Sequence, residues 1–155
     1  MSLVINHDQD EKFKLPIRSI YLAARYSRRE ELCEYRSALR ALGYQVTSRW
    51  LNGNHQIDDA GLSAETKQEE RVRFACEDWA DLERADACIN FTESPRGTNS
   101  RGGRHVEFGG ALALGKRCIV VGPRENVFHC LPNVEIYGTW QECLINLTEE
   151  RAQST

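Results

Sequence analysis

The chain has 155 residues, 41% hydrophobic and 28% charged, with 20 Lys and Arg against 23 Asp and Glu for a formal net charge of −3. That length supports one hydrophobic core rather than two, and the acidic balance excludes the broad basic footprint that holds a protein on a nucleic-acid polymer. No apolar run approaches the roughly 20 residues of a membrane span, and the polar start Asn6-His7-Asp8-Gln9-Asp10-Glu11-Lys12 is unlike a signal peptide, so a cytoplasmic protein with no membrane partner is expected.

Residues 1–16 lack periodicity and end at Pro16, which reads as a loose leader to a single domain over 17–151. Ile17 to Ala23 is a short buried strand, and Ser27 with Glu30 has the spacing of a capping box that opens a helix. Leu32, Tyr35, Leu39 and Leu42 carry that helix's apolar face, and Gly43 is placed to end it. Tyr44 to Trp50, rich in aromatic and β-branched residues, is a second strand, and Leu51 to Gly61 is a loop. Ala64 to Arg84 has neither Gly nor Pro and predicts a helix whose apolar face is Val72, Ala75, Cys76, Trp79 and Leu82. Its outer face is acidic: residues 65–93 hold nine carboxylates against four basic groups.

Ala87 to Phe91 is a third strand, and after a Gly- and Ser-rich segment a helix runs from about Arg104 to Leu114, closed by Gly115. Arg117 to Val121 is a fourth strand stopped by Gly122-Pro123, Val134 to Tyr137 a fifth, and Thr139 with Glu142 a second capping box opening the last helix. Cys33, Cys76, Cys88, Cys118, Cys130 and Cys143 are evenly spread with no C-x-x-C pair, which fits free, buried thiols acting as small hydrophobes and gives no support for a metal site.

Strict alternation of strand and helix forces parallel pairing, and so a doubly wound, flavodoxin- or Rossmann-like α/β domain with a five-stranded parallel sheet and helices on both faces. Ligands in such folds sit beyond the carboxyl ends of the strands. Three segments reach that rim: Ala24 to Arg29, Leu51 to Ile57 and Thr92 to Arg104.

From Ser94 to Val106 the chain carries Arg96, Arg101, Arg104 and His105 with Gly97, Gly102 and Gly103, and no carboxylate. Glycines let backbone N–H groups approach an anion, and the following helix adds its positive end. Glu107 comes next, expected in that helix's first turn and held ionised by the dipole and Arg104, which would suit it to act as a nucleophile. Asp78 shares a helical line with Arg71, Phe74 and Asp81 and could project toward the rim, and Tyr21 in the first strand could hydrogen-bond a carboxylate there. Taken singly, the commoner readings are a helix-turn glutamate, a surface acid and a core tyrosine.

Their joint arrangement is more specific. Ile20-Tyr21-Leu22-Ala23-Ala24-Arg25-Tyr26, then Asp78 followed by Ala85-Asp86, then Gly103-Arg104-His105-Val106-Glu107-Phe108-Gly109-Gly110-Ala111 before Gly115-Lys116, resembles the nucleoside 2-deoxyribosyltransferase superfamily, which includes the 2'-deoxynucleoside 5'-phosphate N-hydrolases. The likeness spans about residues 17–147. It implies that Glu107 is the nucleophile attacking the anomeric carbon, that Asp78 assists departure of the base or holds the reacting groups, and that Tyr21 orients the nucleophile. Retaining glycosyl transfer needs two such acidic groups and no metal or cofactor. The resemblance also implies a homodimer or larger homo-oligomer.

The chain departs from the superfamily members acting on free nucleosides, which carry acidic residues in the loop before the nucleophile. Here that loop has Arg96, Arg101 and Arg104, and the first turn has Arg25, Arg28 and Arg29 around Ser27. These residues, with Gly103 and His105, point to a 5'-phosphate on the substrate, although Glu30, Glu31 and Glu34 could engage the turn arginines in helix ion pairs. Trp50, Asn52 and His55 could stack on or hydrogen-bond the base, Trp50 reading equally as a core aromatic, and Phe128-His129 could close the site from a neighbouring face or a neighbouring subunit. The expected activity is N-glycosidic cleavage of a nucleoside or deoxynucleoside 5'-phosphate through a covalent intermediate on Glu107, with water as acceptor. The alternatives are base exchange by a deoxyribosyltransferase and a non-catalytic nucleotide-binding module. A dinucleotide dehydrogenase is disfavoured because Ala23-Ala24-Arg25 stands where G-x-G-x-x-G is needed.

Overall fold

The computed structural model describes residues 16–53, 55, 67–95 and 102–154. The expected leader, Pro16 apart, and Arg96, Gly97 and Arg101 lie outside the described residues. Strands β1 (Ser19–Ala23), β2 (Gln45–Val46), β3 (Ala87–Phe91), β4 (Arg117–Val121) and β5 (Val134–Tyr137) alternate with helices α1 (Arg29–Ala41), α2 (Gln68–Arg84), α3 (Gly103–Ala113) and α4 (Trp140–Gln153). All four strand pairings are parallel, and the order is β2-β1-β3-β4-β5. The chain reverses direction across the sheet between β1 and β3, so the crevice for a ligand opens above the carboxyl ends of those two strands.

β1 and β3 are buried along their whole length, as expected of central strands covered on both faces. In register, Tyr21 lies beside Cys88 and Cys88 beside Cys118, so these three side chains share one face. Alternation puts Phe91 on the other. There Tyr35 of α1 stacks on Trp140 of α4 at 4.5 Å and lies 5.4 Å from Phe91. Helices α2 and α3 pack together on the Tyr21 face. Leu22, Leu32, Leu39, Leu82, Ile89 and Ile119 have no exposed surface, and each such side chain contributes roughly 1.5–3 kcal/mol by leaving water.

β2 is only two residues long, not the seven expected from Tyr44 to Trp50. After the Thr47 N–H donates to the Ile20 carbonyl, side chains take over the ladder. Ser48 Oγ accepts the Leu22 N–H at 2.7 Å, and the Trp50 indole N–H donates to the Leu22 carbonyl at 2.9 Å. With β1 satisfied in this way, the backbone turns into a 3-10 turn over Arg49–Asn52.

The capping boxes divide. Thr139 and Glu142 bond reciprocally at the start of α4 as expected. Ser27 does not cap α1: a 3-10 turn over Tyr26–Arg28 intervenes, α1 begins at Arg29, and Ser27 Oγ accepts a hydrogen bond from Arg25 instead.

The inward face of α2 also differs. Its buried residues are Phe74, Asp81 and Leu82, whereas Val72 and Trp79 are exposed, as are Ala75 and Cys76. A carboxylate holds the core position because it is fully paired there: Asp81 accepts from the Arg49 backbone N–H and from the guanidiniums of Arg49 and Arg84, at 2.6–2.8 Å. Cys88, Cys118 and Cys143 are buried free thiols as expected, but Cys76 and Cys130 are exposed.

Candidate active site

Above the carboxyl ends of β1 and β3 lies a cavity of about 180 Å³ lined by Ala24, Arg25, Tyr26, Trp50, His55, Asp78, Gly103, Arg104 and Glu107. The three rim segments named from the sequence therefore meet at one place. β1 delivers Ala24 to Tyr26, the 3-10 turn over Arg49–Asn52 delivers Trp50, and the chain beyond that turn delivers His55. The carboxylates come from α2 and the start of α3.

Tyr21, wholly buried, donates its hydroxyl to Glu107 Oε1 at 2.9 Å. Burial together with the negative charges of Glu107 and Asp78 holds the phenol well above its ordinary pKa, so it stays a donor. Glu107 sits in the second turn of α3, since the helix starts at Gly103 rather than Arg104. Glu107 lines the cavity and is partly buried.

Burial therefore dominates Glu107 and pushes its pKa up to about 8. The Tyr21 hydrogen bond pulls it down, and the charge of Asp78 raises it again. The expectation of a carboxylate held ionised by the helix end and by Arg104 is overturned. The Arg104 guanidinium is turned away, onto Glu125 at 2.6 Å, with its side chain 2% exposed. A glutamate one turn inside a helix is also beyond the strongest part of the dipole field.

Asp78, on the line of α2 that holds Phe74 and Asp81, lines the same cavity. Burial raises its pKa to about 6, against the lowering effect of His55; Asp81 and Glu77 raise it further, and Arg49 lowers it. Two carboxyl groups with raised and separated pKa values in one cavity is the arrangement that lets one hold a proton while the other is ionised.

Among the remaining sequence candidates, Arg25, Trp50, Gly103 and Arg104 line the cavity. Ser27 is exposed and engaged with Arg25. Arg28 is held away by Glu31 at 2.8 Å and Glu93 at 3.4 Å, the helix pairing that competed with a phosphate role, and lies over the Phe91 ring. Asn52 is exposed and accepts from Arg36 at 2.8 Å, so it does not reach the cavity. His105 sits beside Glu125, with Nε2 at 3.6 Å. His129 is buried, accepts the Glu125 N–H and packs edge-on against Phe108, while Phe128 is 61% exposed. Phe128-His129 thus supports Glu125, the partner of Arg104, rather than lining the cavity.

Sequence reasoning missed Tyr26, Glu77 and Glu125. Tyr26 carries no signal of its own in the first turn, Glu77 is one of nine acids over residues 65–93, and Glu125 lies 21 residues from the arginine it holds. Among the described residues no group of three or more His, Cys, Asp or Glu side chains is arranged to hold a metal ion, and no helix is long and apolar enough to cross a membrane.

No protein-family model matches the chain, and none of the curated proteins matches it. Solved structures do. A 2-deoxyribosyltransferase from the psychrotolerant bacterium Bacillus psychrosaccharolyticus is 18% identical with a TM-score of 0.63, over 83% of this chain and 95% of that one. The Clostridium botulinum CMP N-glycosidase BcmB is 22% identical with a TM-score of 0.52, over 83% of this chain and 97% of that one. The chain shares the fold of these two solved structures.

Proposed function

We propose that the protein is an enzyme that cleaves the N-glycosidic bond of a nucleoside or deoxynucleoside 5'-phosphate, with Glu107 as nucleophile and water as the acceptor. The observation that carries this reading is the cavity itself, in which Glu107, oriented by the Tyr21 hydroxyl at 2.9 Å, faces the same space as Asp78 at a switch point of the sheet. In the competent form Asp78 carries a proton and Glu107 does not. A Glu107 oxygen attacks the anomeric carbon, the glycosidic electron pair leaves with the base, and the base nitrogen takes the Asp78 proton. Water then attacks the same carbon, Glu107 leaves as a carboxylate, and the proton from water returns to Asp78.

A 5'-phosphate is supported by Arg25, which lines the cavity, and by the first turn of α3, where Gly103 lines it with no side chain in the way. Arg104, committed to Glu125, acts instead by fixing the start of that helix. A homo-oligomer, implied by the motif resemblance, is supported by the exposed Val72 and Trp79 of α2 and Val106 of α3. Sedimentation at micromolar concentration tests it.

The test of the activity is to incubate the protein with nucleosides and 5'-nucleotides and to follow free base by chromatography. Release by wild type and none by Glu107→Ala supports the reading; no release, or undiminished release by the variant, sinks it. Base exchange is the second reading, favoured by the structural likeness to a 2-deoxyribosyltransferase. Adding a second base decides between them, because a transferase forms a new nucleoside faster than water intercepts the intermediate.

A further inference from the structure

His55 stands between the cavity and α2 in a setting that packing alone does not require. Its ring leans on Phe74 with centroids 4.7 Å apart, and its side chain is 9% exposed. Nδ1 lies 3.2 Å from the Gly53 carbonyl, which can only accept. Nε2 lies 2.9 Å from Glu77 Oε2 and 3.8 Å from Asp78 Oδ1. A neutral imidazole donates from one nitrogen only. With Nδ1 donating to Gly53, the contact at Nε2 requires one more proton, carried by the ring or by a carboxyl group. That contact lies beside Asp78 Oδ1, which at 3.8 Å from Nε2 is outside hydrogen-bond reach. Asp78 Oδ1, although buried, has no hydrogen-bond partner among the described residues.

Resting on the glycosidic reading above, we propose that His55 is a positioning residue for Asp78: fixed by Gly53 and Glu77, it turns Nε2 toward Asp78 Oδ1 and orients that carboxyl group. When Asp78 gives its proton to the departing base, the new carboxylate is met by the Nε2 edge of His55, which holds it in place until the attacking water returns a proton to it. The charged and titratable groups around Asp78 set the direction of any perturbation. They are Glu77 and Asp81 on α2, His55 after β2, Arg49 in the 3-10 turn, and Glu107 with Tyr21 from α3 and β1. His55 lowers the pKa of Asp78 and Glu77 raises it.

The two neighbours should therefore move Asp78 in opposite directions. His55→Phe keeps a ring against Phe74, and His55→Gln keeps a polar group in case the aromatic variant folds poorly. Both are expected to shift the acid limb of kcat/KM, and the Asp78 carboxyl titration followed by carbon-13 NMR, upward by roughly one pH unit. In His55→Phe the raised Asp78 pKa by itself enriches the competent form about tenfold, so lost positioning is read as a kcat/KM between the limbs that does not rise with it, with KM within about twofold. Glu77→Gln should shift the limb and the titration downward. If all three variants lose activity equally at every pH, with limb and titration unmoved, His55 and Glu77 merely fasten the loop and the proposal is overturned. A wild-type protein that releases no base refutes the proposed function alone, and the titration of Asp78 in the same variants still decides this one.

Discussion

Tyr21→Phe removes a single oxygen from a side chain with no exposed surface and leaves its ring packed in the sheet. What it deletes is the donor 2.9 Å from Glu107 Oε1. A hydrogen bond to a charged group contributes about 1.5–3 kcal/mol, and one pKa unit corresponds to about 1.36 kcal/mol. Loss of the hydroxyl should therefore lift Glu107 from about 8 by roughly 1–2 units. The competent enzyme has Glu107 ionised and Asp78 protonated, the less populated of the two singly protonated forms when Asp78 titrates near 6 and Glu107 near 8. Each further unit on Glu107 makes that form ten times scarcer. Between the two limbs, kcat/KM for base release should fall about 10–100-fold, and the alkaline limb should climb by roughly the same 1–2 units. The assay is free base against time at limiting substrate from about pH 5 to 10, which reports the free enzyme. A fall of equal size at every pH, with the alkaline limb unmoved, would refute the claim that Tyr21 governs Glu107 through its proton affinity.

Glu107→Gln keeps the shape and the acceptor for Tyr21 but removes a buried acid whose folded pKa, about 8, stands above its ordinary value of 4.5. An acid raised on folding costs nothing below its unfolded pKa and progressively more as pH climbs toward the folded one, so the variant should be more stable by about 3 kcal/mol at neutral pH. Urea melts should show that gap closing near pH 4; a gap independent of pH would contradict the burial account. Arg25→Ala should raise KM at least tenfold for a 5'-nucleotide and leave the matching nucleoside unaffected, as expected for loss of one charge-assisted phosphate contact. Gly122 has φ +117°, and a Cβ there would come within 2.6 Å of Thr92 Oγ1 and 3.3 Å of its carbonyl oxygen. Gly122→Ala should therefore cost about 2 kcal/mol or more by thermal or urea denaturation, and a neutral result would mean that the β4 exit relaxes freely.

Much of this architecture is legible in the chain because its signals are local. β3, β4 and β5 are apolar runs bounded by turn residues, and Thr139 with Glu142 is a cap that needs nothing beyond its own helix. What misleads depends on partners far along the chain. β2 stops early because Ser48 and Trp50 bond Leu22, 26 and 28 residues away. The inward face of α2 contains a carboxylate because Arg49 reaches Asp81, so the apolar stripe through Val72 and Trp79, which periodicity points inward, faces out. Ser27 and Glu30 have capping-box spacing, but Arg25 claims the serine.

The cavity divides in the same way. Tyr21, Asp78 and Glu107 could be singled out because motif order brings them together. The protonation of Glu107 could not be read, since it depends on how deeply α3 buries the carboxyl group and on Arg104 turning to Glu125.

The central claim is a covalent bond between Glu107 and the sugar. The most direct measurement is rapid quenching of wild-type protein with a 2'-fluorinated nucleoside 5'-phosphate, followed by peptide mass spectrometry. The fluorine destabilises the oxocarbenium-like transition state and slows hydrolysis of the ester, so the intermediate should accumulate. A fluoropentosyl-phosphate adduct on the peptide containing Glu107, absent in Glu107→Ala, is the predicted result. An adduct on another residue, or wild-type rates of base release in Glu107→Ala, would contradict it.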